Sequence, residues 1–309
     1  SSFFAFSFTR VVAQTLEAGM SVFGVVADVQ TVHMLVHLPD GLMGAVAITD
    51  VSPELQAAVE AMQNGAAAAE DDDDDDDASG VPSLSSLYRP GQAVVCSVLQ
   101  ASTSGKRLTV DLSLSPALVN TGLDAAALTQ GRLLTVSVSS VEDHGYVVNV
   151  GLPTLTGFIA KKHAAAYVEQ VNEGLDLQVG QTVLAAVLSP PAGGRVVKLT
   201  LDPQQTKAAH LVAAQELTFA TLTAGLAVNA LVSKHLHQGL GLSFSGLEGT
   251  VSASHLLHPL HEDDDLHARF PIKKKVRARI LFVNRDSKTV GLSLRFVCVV
   301  CLFFFFFLV

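Results

Sequence analysis

A chain of 309 residues in which 49% are hydrophobic has enough apolar content for more than one folded core. With 6% aromatic residues and no Trp it is a poor candidate for a surface of many stacked rings, and three cysteines, Cys96, Cys298 and Cys301, cannot staple several modules, which favours a reducing compartment over secretion. The net charge of −9 is local: Glu70 to Asp77 carry eight negative charges, while from Leu266 onward nine Lys or Arg face the single acid Asp286.

The first eight residues are apolar but lack the basic region and cleavage site of a signal peptide. Order is expected from Leu16-Glu17-Ala18-Gly19. Apolar runs over Val22 to Val29, Met34 to Val36 and Leu42 to Ile48 read as three strands, with Asp40-Gly41 as the hairpin signal between the last two. An Ala-rich helix is expected over Glu54 to Met62, then a solvated acidic loop from Asn64 to Gly80, because Asp71 to Asp77 repel one another. Val94 to Leu99 and Leu108 to Leu114 form a second hairpin.

The next stretch repeats this plan. Leu133 to Val141, Tyr146 to Val150 and Leu155 to Ile159 read as strands, Lys161 to Val171 as a helix, and Val183 to Leu188 and Val196 to Leu201 as the closing pair. Pro203 opens a connecting helix over Gln204 to Ala214. A third copy has strands over Val228 to Leu236, Leu240 to Phe244 and Leu247 to Val251, a His-rich loop from His255 to His267, and strands over Val276 to Val283 and Thr289 to Leu294. The fourteen apolar residues 296–309 are fewer than the roughly 20 a bilayer span needs, and read as a disordered or artefactual end.

Each copy starts with Leu-x-x-Gly (Gly19, Gly131, Gly225) and closes with a Leu-rich strand. Strand, strand, strand, helix, strand, strand is the order of a five-stranded OB-fold barrel. The expected fold is therefore mostly β, with three tandem S1-type barrels: residues 16–116 with an acidic insertion, 128–202 and 222–295, a helical linker at 203–221, and tails at 1–15 and 296–309.

The motif order resembles the S1 RNA-binding domain, a branch of the OB-folds, most fully in Gly131, Val141-Glu142-Asp143-His144-Gly145-Tyr146-Val147-Val148, Gly157-Phe158 and Val179-Gly180-Gln181. More narrowly, Ser139 to Tyr146, Ala166-Tyr167-Val168 with Leu177 to Gly180, and Val276 to Leu281 resemble the ribosomal RNA processing protein 5 family of nucleolar scaffolds with many S1 repeats. That resemblance implies pre-ribosomal RNA processing in the small-subunit assembly particle, a nuclear and nucleolar location, and ribosome-assembly proteins as partners. It also implies a longer array in the whole protein, followed by a helical-repeat region.

S1 barrels hold single strands on the face of strands two and three, where rings stack on bases and cations meet phosphates. The motif positions nominate His144 and Tyr146, with Lys161, Lys162 and His163 at the neighbouring helix start. Electrostatics nominates Lys273, Lys274, Lys275, Arg277, Arg279, Arg285, Lys288 and Arg295 as a phosphate-tracking stripe, which would equally suit an acidic protein partner. The third copy has no ring in Gln238-Gly239-Leu240-Gly241, and the first lacks even the turn glycine in Gln30-Thr31-Val32-His33. A docking array without RNA binding is the alternative.

Neither metal, cofactor, membrane nor small-molecule substrate is expected. Cys298 and Cys301 lack a second pair, Pro259 interrupts the spacing of His255, His258 and His261, and Gly241 to Ser245 falls short of a nucleophile elbow. The chain reads as a non-enzyme.

Overall fold

A computed structural model describes residues 16–66, 82–104, 107–191, 194–208, 217–257 and 266–295, and over them the chain is mostly β. The first unit comprises β1 (Ser21–Val29), β2 (His33–His37), β3 (Met43–Ala47), α1 (Pro53–Ala66), α2 (Leu84–Leu87), β4 (Ala93–Ser104) and β5 (Arg107–Ser113). After α3 (Pro116–Val119), the second has β6 (Leu133–Glu142), β7 (Gly145–Asn149), β8 (Thr156–Ala160), α4 (Lys161–Gln170), β9 (Thr182–Ser189) and β10 (Val196–Thr200). After α5 (Pro203–Ala208), the third has β11 (Ala227–Leu236), β12 (Gly239–Phe244), β13 (Leu247–Ser252), α6 (Leu266–Arg269), β14 (Lys275–Asn284) and β15 (Thr289–Ser293).

The repeated glycine has a structural cause. Gly19, Gly131 and Gly225 all take positive φ, at 82°, 80° and 86°. In that left-handed turn their N–H groups donate to the carbonyls of Val98, Val187 and Ile280, each at 2.8 Å, tying the start of each unit to its fourth strand. At Gly225 there is a second constraint. An added Cβ would lie 3.2–3.3 Å from Leu133, Val95 and Phe23, so all three units converge on this residue.

Strands β6 to β10 pair in the order β10-β8-β7-β6-β9 and close into a barrel, with β8 and β10 parallel. The remaining ten strands do not make two further separate beads. They form one sheet containing two five-strand circuits, β1-β2-β3-β5-β4 and β11-β12-β13-β15-β14, with additional β1–β4 and β11–β14 pairings and a β1–β14 bridge. The bridge matches Ser21 with Val283 and Val22 with Phe282. Its cause is an uncovered edge on each side. β14 outruns β11, whose pairing ends at Ala227, and β1 begins before its pairing with β2 starts at Val25. Joining the two edges satisfies backbone groups that would otherwise need water or a cap.

The cores follow this arrangement. Leu281 and Phe282 of β14 belong to the first unit's core, while Phe23, Val95, Leu133 and Leu184 pack into the third's. Units one and two are also joined by polar contacts: Tyr88 Oη lies 2.5 Å from Thr182 Oγ1 and accepts from Thr182 N, and Gln92 donates to Tyr167 Oη at 2.9 Å. Buried Arg132 donates to the Thr221 carbonyl, and desolvation pulls its pKa down to about 10 against the pull of Asp124.

The Asp40-Gly41 turn is as expected, with both residues at positive φ. The first helix runs longer than expected, to Ala66, while Glu70 to Asp77 lie outside the described residues. Of the connecting helix, Pro203–Ala208 is described. Among the described residues no helix is long and apolar enough to cross a membrane.

Candidate nucleic-acid interface

In each unit a β-bulge after the first strand's midpoint fixes which side chains point outward. It falls between Val26 and Asp28, between Val138 and Ser140, and between Val232 and Lys234. The register beyond it defines an equivalent outward row across the wall made by the second and third strands. In unit one the row is Asp28, Leu35, Ala45 and Asp111. In unit two it is Ser140, Val147, Phe158 and Lys198. In unit three it is Lys234, Gly241, Thr250 and Gly291.

The three rows differ in chemistry. Unit one presents two carboxylates and no ring, which repels phosphate; burial, then Asp111, raises the pKa of nearby Asp50. Unit three presents Lys234, whose stem covers Gly241 and whose Nζ meets Glu248 Oε2 at 3.2 Å. Of the three rows, only that of unit two puts a ring beside a cation: half-buried Phe158 pairs with Val147 on one side and exposed Lys198 on the other. His144 is exposed in the β6–β7 turn, and its carbonyl accepts from Lys161 N at 3.1 Å, which brings the start of α4 to this wall.

Tyr146, nominated from its motif position, is corrected. It is 1% exposed, pairs with Ile159 on the inward side, and its hydroxyl donates to Asp176 Oδ1. Burial, then Asp176, holds the phenol protonated well above the usual range. A ring in the core cannot stack on a base. Lys161 and Lys162 are exposed, with Lys161 Nζ 3.8 Å from Asp176 Oδ2, and the backbone carbonyl of half-buried His163 accepts from Leu201 N.

The basic stripe divides. Lys273, Lys274, Lys275 and Arg277 are exposed or half-exposed near the start of β14, with Lys274 Nζ 5.1 Å from the centroid of the Phe270 ring. Arg279 does not join them: it is 3% exposed and donates to the Gly225 carbonyl at 2.6 Å. Half-buried Arg285 donates to the carbonyls of Ala220 and Leu222, and desolvation lowers its pKa. It and exposed Lys288 lie past the far end of β14, roughly 30 Å from Lys275 at about 3.3 Å per residue. Exposed Arg295 donates to the Leu256 carbonyl at 2.9 Å.

Phe158 and Lys198 were not nominated from the sequence, although strict alternation between Gly157 and Ile159, and between Val197 and Leu199, marks both as outward. His258 and His261 lie outside the described residues, while His255 Nε2 is 3.5 Å from Asp40 Oδ1. Among the described residues no group of three or more His, Cys, Asp or Glu is placed to hold a metal.

No family model matches the chain. It is 34% identical over 285 residues to the Protein RRP5 homolog of Mus musculus and 29% identical over 290 residues to the rRNA biogenesis protein RRP5 of Arabidopsis thaliana. These matches cover 91% and 92% of the chain, and the chain spans 14% of the length of either relative. Among solved structures, an a/eIF2alpha-aDim2p-rRNA complex from Pyrococcus horikoshii matches with a TM-score of 0.21 and 22% identity over 22% of this chain and 42% of that one, a likeness too slight to argue from.

Proposed function

The chain belongs to the RRP5 family, and from that premise we propose that it is an RNA-holding scaffold segment of ribosome biogenesis. In this reading the second barrel holds single-stranded pre-ribosomal RNA on its outward row. The observation that carries it is the Phe158–Lys198 pair beside Val147, a stacking platform next to a phosphate-seeking cation, which neither other row contains. A stacked base contributes about 1–3 kcal/mol, so one ring gives weak binding. The group Lys273, Lys274, Lys275 and Arg277 supplies a second, sequence-independent contact. Linking the two in one chain raises avidity through effective concentration.

The chain works by binding and not by catalysis, in the small-subunit assembly particle and in the nucleolus. Ribosome-assembly proteins are its other partners. A docking role for the first unit has its own support, since a row bearing Asp28 and Asp111 is unsuited to RNA and suited to a basic protein surface.

Titrating labelled single-stranded RNA at low and moderate salt tests this reading. Weak binding that falls with salt is expected. Undetectable binding at low salt would replace it with a protein-docking array.

A further inference from the structure

The outer wall of the second barrel is already partly occupied, by the first unit. Ser52 begins α1: its Oγ accepts from Leu55 N at 3.2 Å and donates to the Gly180 carbonyl of unit two at 2.8 Å. Leu55 is fully buried against Gly180, so tightly that a Cβ there would lie 2.5 Å from Leu55 Cγ. Between these two anchors Glu54 has little freedom. Its carboxylate accepts from Ser137 Oγ at 2.8 Å, Ser139 Oγ at 2.9 Å and Asn149 Nδ2 at 3.4 Å.

Those three donors are not scattered. Ser137 and Asn149 pair directly and begin the outward row Ser137, Asn149, Thr156, Val196, adjacent to the row that carries Phe158. They are the polar groups that would otherwise read the edge of a base or meet a phosphate on this half of the wall. Glu54 satisfies them and adds a negative charge where a polyanion would run.

We propose that Glu54 sets the path of RNA across the second barrel. It reserves the β6–β7 half for contact with the first unit and leaves the strand only the half bearing His144, Phe158, Lys161 and Lys198. Glu54 is therefore a specificity-determining residue, and the proposal rests on the RNA reading above.

The test is a double-mutant cycle on the full chain, with a labelled oligouridine as probe and thermal melts to check folding. Glu54→Gln keeps the shape and one acceptor while removing the charge; Glu54→Ala serves as the second variant. Both are expected to bind RNA about two- to fivefold more tightly, the range for one partly exposed charge interaction. Asn149→Ala is expected to leave wild-type affinity unchanged and to weaken binding in the Glu54→Ala background, where no acceptor remains and Asn149 is released to the RNA. Equal affinities for wild type and both Glu54 variants would overturn the proposal and leave the RNA reading standing. So would an Asn149→Ala effect of the same size in both backgrounds. Absence of RNA binding by every variant would overturn both readings.

Discussion

Phe158 lies across Gly145. A Cβ added at Gly145 would come 2.7 Å from the tip of the phenyl ring and 2.3 Å from the Ile159 carbonyl oxygen. The tip of the ring covers bare backbone next to exposed His144, and alternation with buried Gly157 and Ile159 keeps Phe158 on the outer wall. Gly145→Ala is therefore expected to push β7 and β8 apart. Overpacking of this kind costs about 1–3 kcal/mol, read as a lower denaturant midpoint, and RNA affinity should fall with it.

Phe158→Ala separates binding from folding. The ring is half-exposed, so its removal should weaken RNA binding at least about fivefold, the worth of stacking one base, with little change in melting temperature. Tyr146→Phe should do the reverse. Without the hydroxyl's bond to Asp176 stability drops by about 1 kcal/mol, while RNA affinity stays put in the same titration.

Alkaline pH should destabilise the protein through its tyrosines. The chain contains three, Tyr88, Tyr146 and Tyr167, all buried. Desolvation raises each phenol pKa above its ordinary value of 10, and desolvation likewise raises the Cys96 thiol. Because the folded state keeps protons that the unfolded chain loses, stability is fully present below about pH 9–10 and declines above it. The slope is about 1.4 kcal/mol per pH unit for each group. Arg132, lowered to about 10 by burial, opposes this above that pH. Tyrosinate absorbance should therefore appear only with unfolding. A tyrosinate signal at pH 10–11 from protein with intact circular dichroism would contradict this.

The two ends of the basic stripe should part in experiment. Changing Lys273, Lys274 and Lys275 to Ala is expected to flatten the salt dependence of RNA binding by about 0.7 in the log–log slope for each phosphate no longer neutralised, with stability unchanged. Arg279→Met should do the opposite. It removes the bond to the Gly225 carbonyl at the junction of the three units, and hydrogen bonds to charged groups are worth about 1.5–3 kcal/mol.

Much of this was legible in the residues themselves. Repeated glycines, alternation and turn signals fixed the strand order, because each reports a local backbone requirement such as the positive φ of Gly131. Which face a residue occupies was less legible. Motif position nominates Tyr146, but a motif names a residue type and not a face: in β7 Tyr146 pairs with inward Ile159, and Phe158 and Lys198 hold the outward row. Alternation correctly grouped Lys275, Arg277 and Arg279 on one side of β14. It carries no information about what covers that side, and the turn at Gly225 buries Arg279. The β1–β14 bridge and the Glu54 contacts join residues far apart in the chain, and no local pattern encodes them.

The most direct measurement is photo-crosslinking of 4-thiouridine-substituted single-stranded RNA to the full chain at low salt, with the linked peptides identified by mass spectrometry. The principal crosslinks are expected on the peptides of β7 and β8 that carry Val147 and Phe158, and they should disappear in Phe158→Ala. Crosslinks confined to the first unit, or crosslinks to β7 and β8 that persist undiminished without the ring, would contradict the claim that the second barrel's outward row holds the RNA.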